Sequence, residues 1–142
     1  MRKQKGFTLI ELLVVIAIIG LLSTLAVVAL NNARMKARDA RRVADIKQIQ
    51  TALELYFNDV GSYPANVTAG NTIANGATTY MSIVPANPTP AGDGICAAGS
   101  VYTYTQTGTS GSSYTLQYCL GGATGGVSSS THTATPAGVA NP

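Results

Sequence analysis

The sequence predicts an α+β fold: one very long N-terminal helix whose C-terminal half lies against a small antiparallel sheet. Three observations predict it. Residues Phe7 to Leu30 are apolar at nearly every position, with Glu11 the one charge. Residues 31–58 hold neither proline nor glycine and place apolar residues at three- and four-residue steps. Beyond residue 60 the period changes. VYTYTQ at 101–106 and SYTLQYCL at 113–120 alternate, are rich in β-branched and aromatic residues, and flank the turn segment TGTSGS.

The first element follows from length and hydropathy. As a helix, the 24 residues of Phe7–Leu30 rise ~36 Å, against a hydrocarbon core of ~30 Å, enough to cross a bilayer with some tilt. The run is longer than a secretory apolar region, typically about 7–15 residues, and the small residue Gly6 stands before it, where a signal peptide has its cleavage site after. The helix continues. Val43, Ile46, Ile49 or Gln50, Leu53 and Phe57 share one face. Arg41 and Arg42 are each spaced to pair with Asp45. Asn58, Asp59, Gly61 and Pro64 mark the end. One helix from about residue 7 to 58 is expected, ~78 Å long.

The second half is polar but almost uncharged. From Val60 to Pro142 the only formally charged side chain is Asp93. Residues 66–76 read as a loop, and 78–84 as a strand or short helix. Pro85, Pro88 and Pro90 interrupt regular structure. The 101–106/113–120 hairpin brings Cys119 near Ser100, within reach of Cys96 through a short loop. The Gly/Ser/Thr/Ala-rich tail from 121 to 142 reads as a loose extension or a weak last strand. About 80 residues bury only a small core, so this half needs the helix or a staple. Cys96 and Cys119 supply a staple if they are bridged, the alternative being two buried thiols; a bridge implies an oxidising compartment.

Charge and inventory exclude several functions. Arg2, Lys3 and Lys5 precede the apolar run, and the remaining six bases balance six acids. Net charge alone therefore gives nucleic acid little support as a partner. Arg34, Lys36, Arg38, Arg41 and Arg42 cluster just past the span. They read as a solvated face that meets lipid phosphates or neighbouring acids, with DNA contact the less favoured reading. His132, the sole histidine, reads as a surface residue, and Asp93 within Gly92-Asp93-Gly94 as a plain turn. The Asn66-Val67-Thr68 sequon is too short to carry weight. No nucleophile, base and orienting group stand together, and no phosphate loop or metal-ligand cluster is present, so no enzyme, cofactor or metal site is expected.

The N-terminus carries a more specific signal. Lys5-Gly6-Phe7-Thr8-Leu9-Ile10-Glu11-Leu12, followed by the apolar run, resembles the signal of type IV pilins and type II secretion pseudopilins. The resemblance implies a pilin-like fold and a membrane peptidase that cuts between Gly6 and Phe7 on the cytoplasmic side and methylates the new amine of Phe7. It also implies an assembly role for Glu11, as partner of a neighbouring subunit's amine. The segment KARDARRVADIKQIQTALELYFNDVGSYP is similar to the same group. Two departures stand out. No proline lies near Val28, and the C-terminal region lacks the acids of the calcium loop usual in the major pseudopilin.

The implied organisation is a leader at 1–6, a transmembrane and polymerisation half at 7–30, an amphipathic half at 31–60, and a polar β domain at 61–142. The implied function is a filament subunit, stored as a single-pass inner-membrane protein with its leader in the cytoplasm, then assembled outside. The implied partners are copies of itself, the prepilin peptidase and methyltransferase, membrane lipid and, indirectly, a platform protein and an assembly ATPase. The alternative is a minor pilin acting as a tethered adhesion or DNA-uptake module.

Overall fold

A computed structural model describes residues 6–140; residues 1–5 of the expected leader and the last two residues lie outside the described part. Helix α1 runs Leu9–Val60. It begins two residues later than the apolar run because Thr8 caps it. It ends where Gly61, at φ 79°, turns the chain and donates its N–H to the Phe57 carbonyl at 2.8 Å. That positive φ is what glycine tolerates and other residues resist.

The chain divides into two compact units, residues 1–34 and 35–142. In the first, the described residues are a bare helical segment. Its leucines, isoleucines and valines from Leu9 to Leu30 are all exposed. Burying one such side chain contributes about 1.5–3 kcal/mol, so the run forgoes on the order of tens of kcal/mol until something apolar covers it.

The second unit holds the core. Two strands, β1 (Ile73–Asn75) and β2 (Thr78–Met81), form an antiparallel pair. Four more, β3 (Thr103–Thr107), β4 (Ser113–Cys119), β5 (Thr131–Thr135) and β6 (Gly138–Ala140), form an antiparallel sheet in sequential order. β4 alternates strictly. Tyr114, Leu116 and Tyr118 turn inward, while Ser113, Thr115, Gln117 and Cys119 face outward. Ile46, Ile49, Ala52 and Leu53 of α1 meet them in one core, joined by Tyr63, Ile73, Val84, Leu120 and Ala134. Tyr63 ties the helix end to the sheet. Its ring stacks on Phe57 at 4.6 Å and meets Tyr114 edge-on at 4.7 Å, and its backbone carbonyl accepts from the Gln106 side chain.

Several expectations are corrected. Residues 66–76 are not all loop: β1 lies within them, and Gly76-Ala77 makes the two-residue hairpin turn, with Gly76 at φ 59° supplying the left-handed backbone such a turn needs at its first position. Of the two readings of the tail, the strand is found and the loose extension is not, with β6 the last strand. Thr131-His132-Thr133-Ala134-Thr135 alternates in small residues and forms β5, an interior strand of the sheet. His132 is not on the surface. It is fully buried beside Tyr118, and its Nε2 shares hydrogen bonds with Ser130 Oγ at 2.9 Å and the Ser128 carbonyl at 2.8 Å. The hairpin register sets Thr103 opposite Gln117, which places Cys119 level with position 101, one residue from the expected Ser100.

Candidate functional site

Two groups of residues carry chemistry beyond core packing, one in each unit. The first is the start of α1. Gly6, Phe7 and Thr8 precede the helix, and Phe7 is 82% exposed. Thr8 is the N-cap. Its backbone N–H and its hydroxyl both donate to Glu11 Oε2, at 2.8 and 2.6 Å, and the Glu11 N–H donates back to Thr8 Oγ1 at 3.3 Å. This is a reciprocal capping box, which satisfies amides that a helix start otherwise leaves open. The T-x-x-E spacing of Thr8 and Glu11 announces it in the sequence. Glu11 Oε1 is free of these bonds. Glu11 thus presents an anionic oxygen at the head of an otherwise apolar rod.

Gly6 adds a second clue. A Cβ built there meets nothing within 4 Å, and its φ lies outside the left-handed region. The chain's own fold does not require glycine at this position.

The second group is a polar anchor where α1 meets the loops of unit 2. The Arg42 side chain is completely buried, and three edges of its guanidinium are used. Nη1 donates to Asp39 at 2.6 Å, Nε to Asn87 Oδ1 at 2.8 Å, and Nη2 to Asp93 at 3.1 Å, with the Ala91 and Pro90 carbonyls at 3.3 and 3.4 Å. Arg38 holds Asp93 with two bonds, at 2.5 and 2.6 Å. Asp39 also accepts the Gly121 and Gly122 amides at 3.1 and 2.8 Å. Two cations and two anions close on each other, as buried charges must. The adjacent Arg38 guanidinium holds the Asp93 carboxyl below the usual carboxylate range, against the opposing effect of burial.

Here too the sequence reading is corrected. Asp93 is the hub of the anchor rather than a plain turn. Arg42 pairs with Asp39 and Asp93 rather than Asp45, and only Arg41 approaches Asp45, at 3.9 Å. Of the basic cluster, Arg38 and Arg42 turn inward, and Arg34, Lys36 and Arg41 stay exposed. Gly94, at φ +55°, passes so close to the Gly121 carbonyl that any Cβ would collide with it. Cys96 and Cys119 are joined, their Cα atoms 5.8 Å apart, and the Cys96 N–H donates to the Asp93 carbonyl at 2.9 Å. The bridge therefore pins the anchor loop to β4. Tyr102 donates its hydroxyl to Asp45 at 3.0 Å, and burial, reinforced by that carboxylate, pushes its pKa up.

Comparison with known proteins bears on the first group. The prokaryotic N-terminal methylation motif matches residues 1–27. The chain is 38% identical over 74 residues to the type II secretion system core protein G of Aeromonas hydrophila, covering 52% of each chain. It is 45% identical over 62 residues to the core protein G of Escherichia coli K12, covering 44% of this chain and 43% of that one. It is 44% identical over 69 residues to the type IV wide pilus major component PilA4 of Thermus thermophilus, covering 49% of this chain and 53% of that one. The chain thus spans about half the length of the curated relatives it matches. No solved structure matches it. The chain carries the prokaryotic N-terminal methylation motif and resembles, over about half its length, the type IV pilin and type II secretion pseudopilin family.

Proposed function

We propose that the chain is the structural subunit of a type IV pilus-like or pseudopilus filament, assembled from the membrane after its first six residues are removed. The observation that carries this reading is the helix start. An unshielded apolar rod begins directly after Gly6 and bears one carboxylate, held by Thr8 with an oxygen to spare. Such a rod has two stable surroundings, lipid and copies of itself. Moving from one to the other need not expose it to water, so storage and assembly use the same surface.

In this reading a prepilin peptidase cleaves between Gly6 and Phe7 and methylates the Phe7 amine. The open conformation around Gly6 suits entry into a peptidase cleft, since no contact of the chain's own must be broken there. The new amine is cationic. A carboxylate in an apolar setting is costly unless paired, so Glu11 favours a subunit that brings such an amine to it. The mature chain sits as a single-pass inner-membrane protein with the polar unit outside the cytoplasm, where the Cys96–Cys119 bridge persists. The energy for extraction comes from a cytoplasmic ATPase acting through a platform protein.

Mass spectrometry of the native protein tests the reading. A mature chain beginning with methylated Phe7, recovered in sheared surface filaments, is the expected result. A native chain still carrying its first six residues and recovered as a soluble monomer would overturn it.

A further inference from the structure

Two pairs in the sequence set a side-chain carbonyl directly before a glycine, Asn75-Gly76 and Asp93-Gly94. At such a pair the glycine nitrogen can close a cyclic imide on the preceding side chain, because no Cβ on the glycine obstructs its approach. The fold treats the two pairs in opposite ways. Asp93 is buried, and both of its oxygens are held, Oδ1 by Arg38 at 2.6 Å and Oδ2 by Arg38 at 2.5 Å and Arg42 at 3.1 Å. Those cations keep the carboxyl ionised, and an ionised carboxylate is a poor electrophile. Gly94 also lies hard against the Gly121 carbonyl, so its backbone has no room to turn. This pair is locked.

Asn75-Gly76 is open. It lies at the tip of the β1–β2 hairpin, where Ala74, Asn75, Gly76, Ala77, Thr78 and Thr79 are all exposed. Among the described residues neither the Asn75 side chain nor the Gly76 N–H makes a hydrogen bond, and nothing lies within 4 Å of a Cβ built on Gly76. Ring closure requires Asn75 to rotate out of its extended conformation, and this hairpin is built to let it. Its two strands pair only with each other, and their register is irregular between Ile73 and Ala74. A two-stranded ribbon is marginally stable by itself. The base is tied, by the Val84 N–H on the Asn71 carbonyl and by Tyr80 on Asp59, while the tip is not. The other described asparagines are less reactive. Asn31, Asn32 and Asn58 lie within α1. Asn66 and Asn71 precede β-branched Val67 and Thr72, which crowd the nitrogen, and Pro88 brings Asn87 no N–H.

We infer that Asn75 is a site of spontaneous deamidation in the folded chain, and that Asp93 is protected from the matching isomerisation. The Gly76 nitrogen gives up its proton to water and bonds to Asn75 Cγ. The Cγ–Nδ2 bond breaks and ammonia leaves. Water then opens the imide at either carbonyl, giving aspartate or isoaspartate at position 75, with no oxidant or reductant involved. From Val60 onward the only formally charged side chain is the buried Asp93. Each conversion therefore gives this half of the chain an exposed carboxylate where it had none. The reaction itself stands apart from the filament reading. If that reading holds, a subunit outside the cytoplasm keeps the change, and a filament gains negative surface charge with age.

Timed incubation of the full chain in detergent, at mildly alkaline pH, tests it beside a sample unfolded in urea. Peptide mass spectrometry reads the exchange of amide for carboxylate at each asparagine, and isoaspartate-specific enzymatic methylation reads the rearranged product. In the folded chain Asn75 is expected to convert while Asn66, Asn71, Asn87 and Asp93 stay intact, and the protein's isoelectric point to fall. In urea Asp93 should begin to isomerise as well. Asn75→Gln, which closes the corresponding ring far less readily, should hold the isoelectric point constant. A folded chain whose Asn75 is intact when the urea sample has converted would overturn the inference, because the hairpin would then lock the site. Isomerisation of Asp93 in the folded chain would overturn the protection assigned to it. Neither result bears on whether the chain forms filaments, which the processed N-terminus and sheared fraction decide separately.

Discussion

One oxygen of Glu11, Oε2, accepts both the backbone N–H and the hydroxyl of Thr8, so the same carboxylate that closes the helix start keeps a second oxygen for another partner. Capping and charge can be separated by substitution. Glu11→Gln keeps an acceptor for Thr8 but removes the charge. Glu11→Ala removes both. If assembly depends on the charge, both variants insert, are processed, and polymerise poorly, and Thr8→Ala retains most of its filament yield while losing about 1 kcal/mol of helix-start stability. Quantifying sheared filaments from the three variants checks this. A Glu11→Gln variant that assembles like wild type would assign the residue to capping alone.

Arg42 has no route to water, and its loss strands Asp39. Arg42→Met keeps much of the apolar stem but leaves the buried Asp39 carboxylate without its cation, while Arg38 still holds Asp93. Breaking a buried pair from one side typically costs about 3–5 kcal/mol. Urea unfolding of the full chain in detergent should show a midpoint lowered accordingly. Lys36→Met, at an exposed and unpaired site, should leave the midpoint nearly unchanged.

The disulfide closes a loop with a sequence separation of 23 residues. Loop closure on that scale stabilises by roughly 3.5 kcal/mol, chiefly by restricting the unfolded chain. Replacing Cys96 and Cys119 together by serine should lower the unfolding midpoint by a corresponding amount and loosen the anchor loop, since the Cys96 N–H is tied to the Asp93 carbonyl. Proteolysis within residues 85–96 should accelerate more than proteolysis elsewhere in the unit.

Asp93 gives the fold an acid limb. Arg38 holds its folded pKa below the usual value, so it contributes stability above its unfolded pKa of about 3.9, and that contribution is lost as pH falls through the folded pKa. The stability difference between wild type and Asp93→Asn should therefore be largest near neutral pH and shrink below about pH 4. Unfolding midpoints measured across that range check the sign. A difference that grows in acid would contradict it.

Local pattern alone determined a good deal. The apolar run, the missing proline and glycine after it, and Gly61 define helix α1 to within two residues at each end. The inward-facing stripe through Ile46, Ile49 and Leu53 is legible as periodicity, and the Ser113–Cys119 hairpin strand as alternation. These features depend on neighbours in sequence, which is why they can be read there. The helix-start motif is of the same kind, since Gly6, Phe7 and Glu11 lie within one short stretch.

Only the tertiary structure decided the rest. The buried face of α1 extends down to Arg42 and Asp39, where side-chain charge would ordinarily argue for exposure. Their burial is affordable only because Asp93, Asn87, Gly121 and Gly122 converge on them from more than 40 residues away. His132 is buried for a similar reason: β5 pairs with β4 and brings it beside Tyr118. Whether a polar side chain is tolerated inside depends on partners that the fold assembles, and no spacing along the chain reports which those partners are.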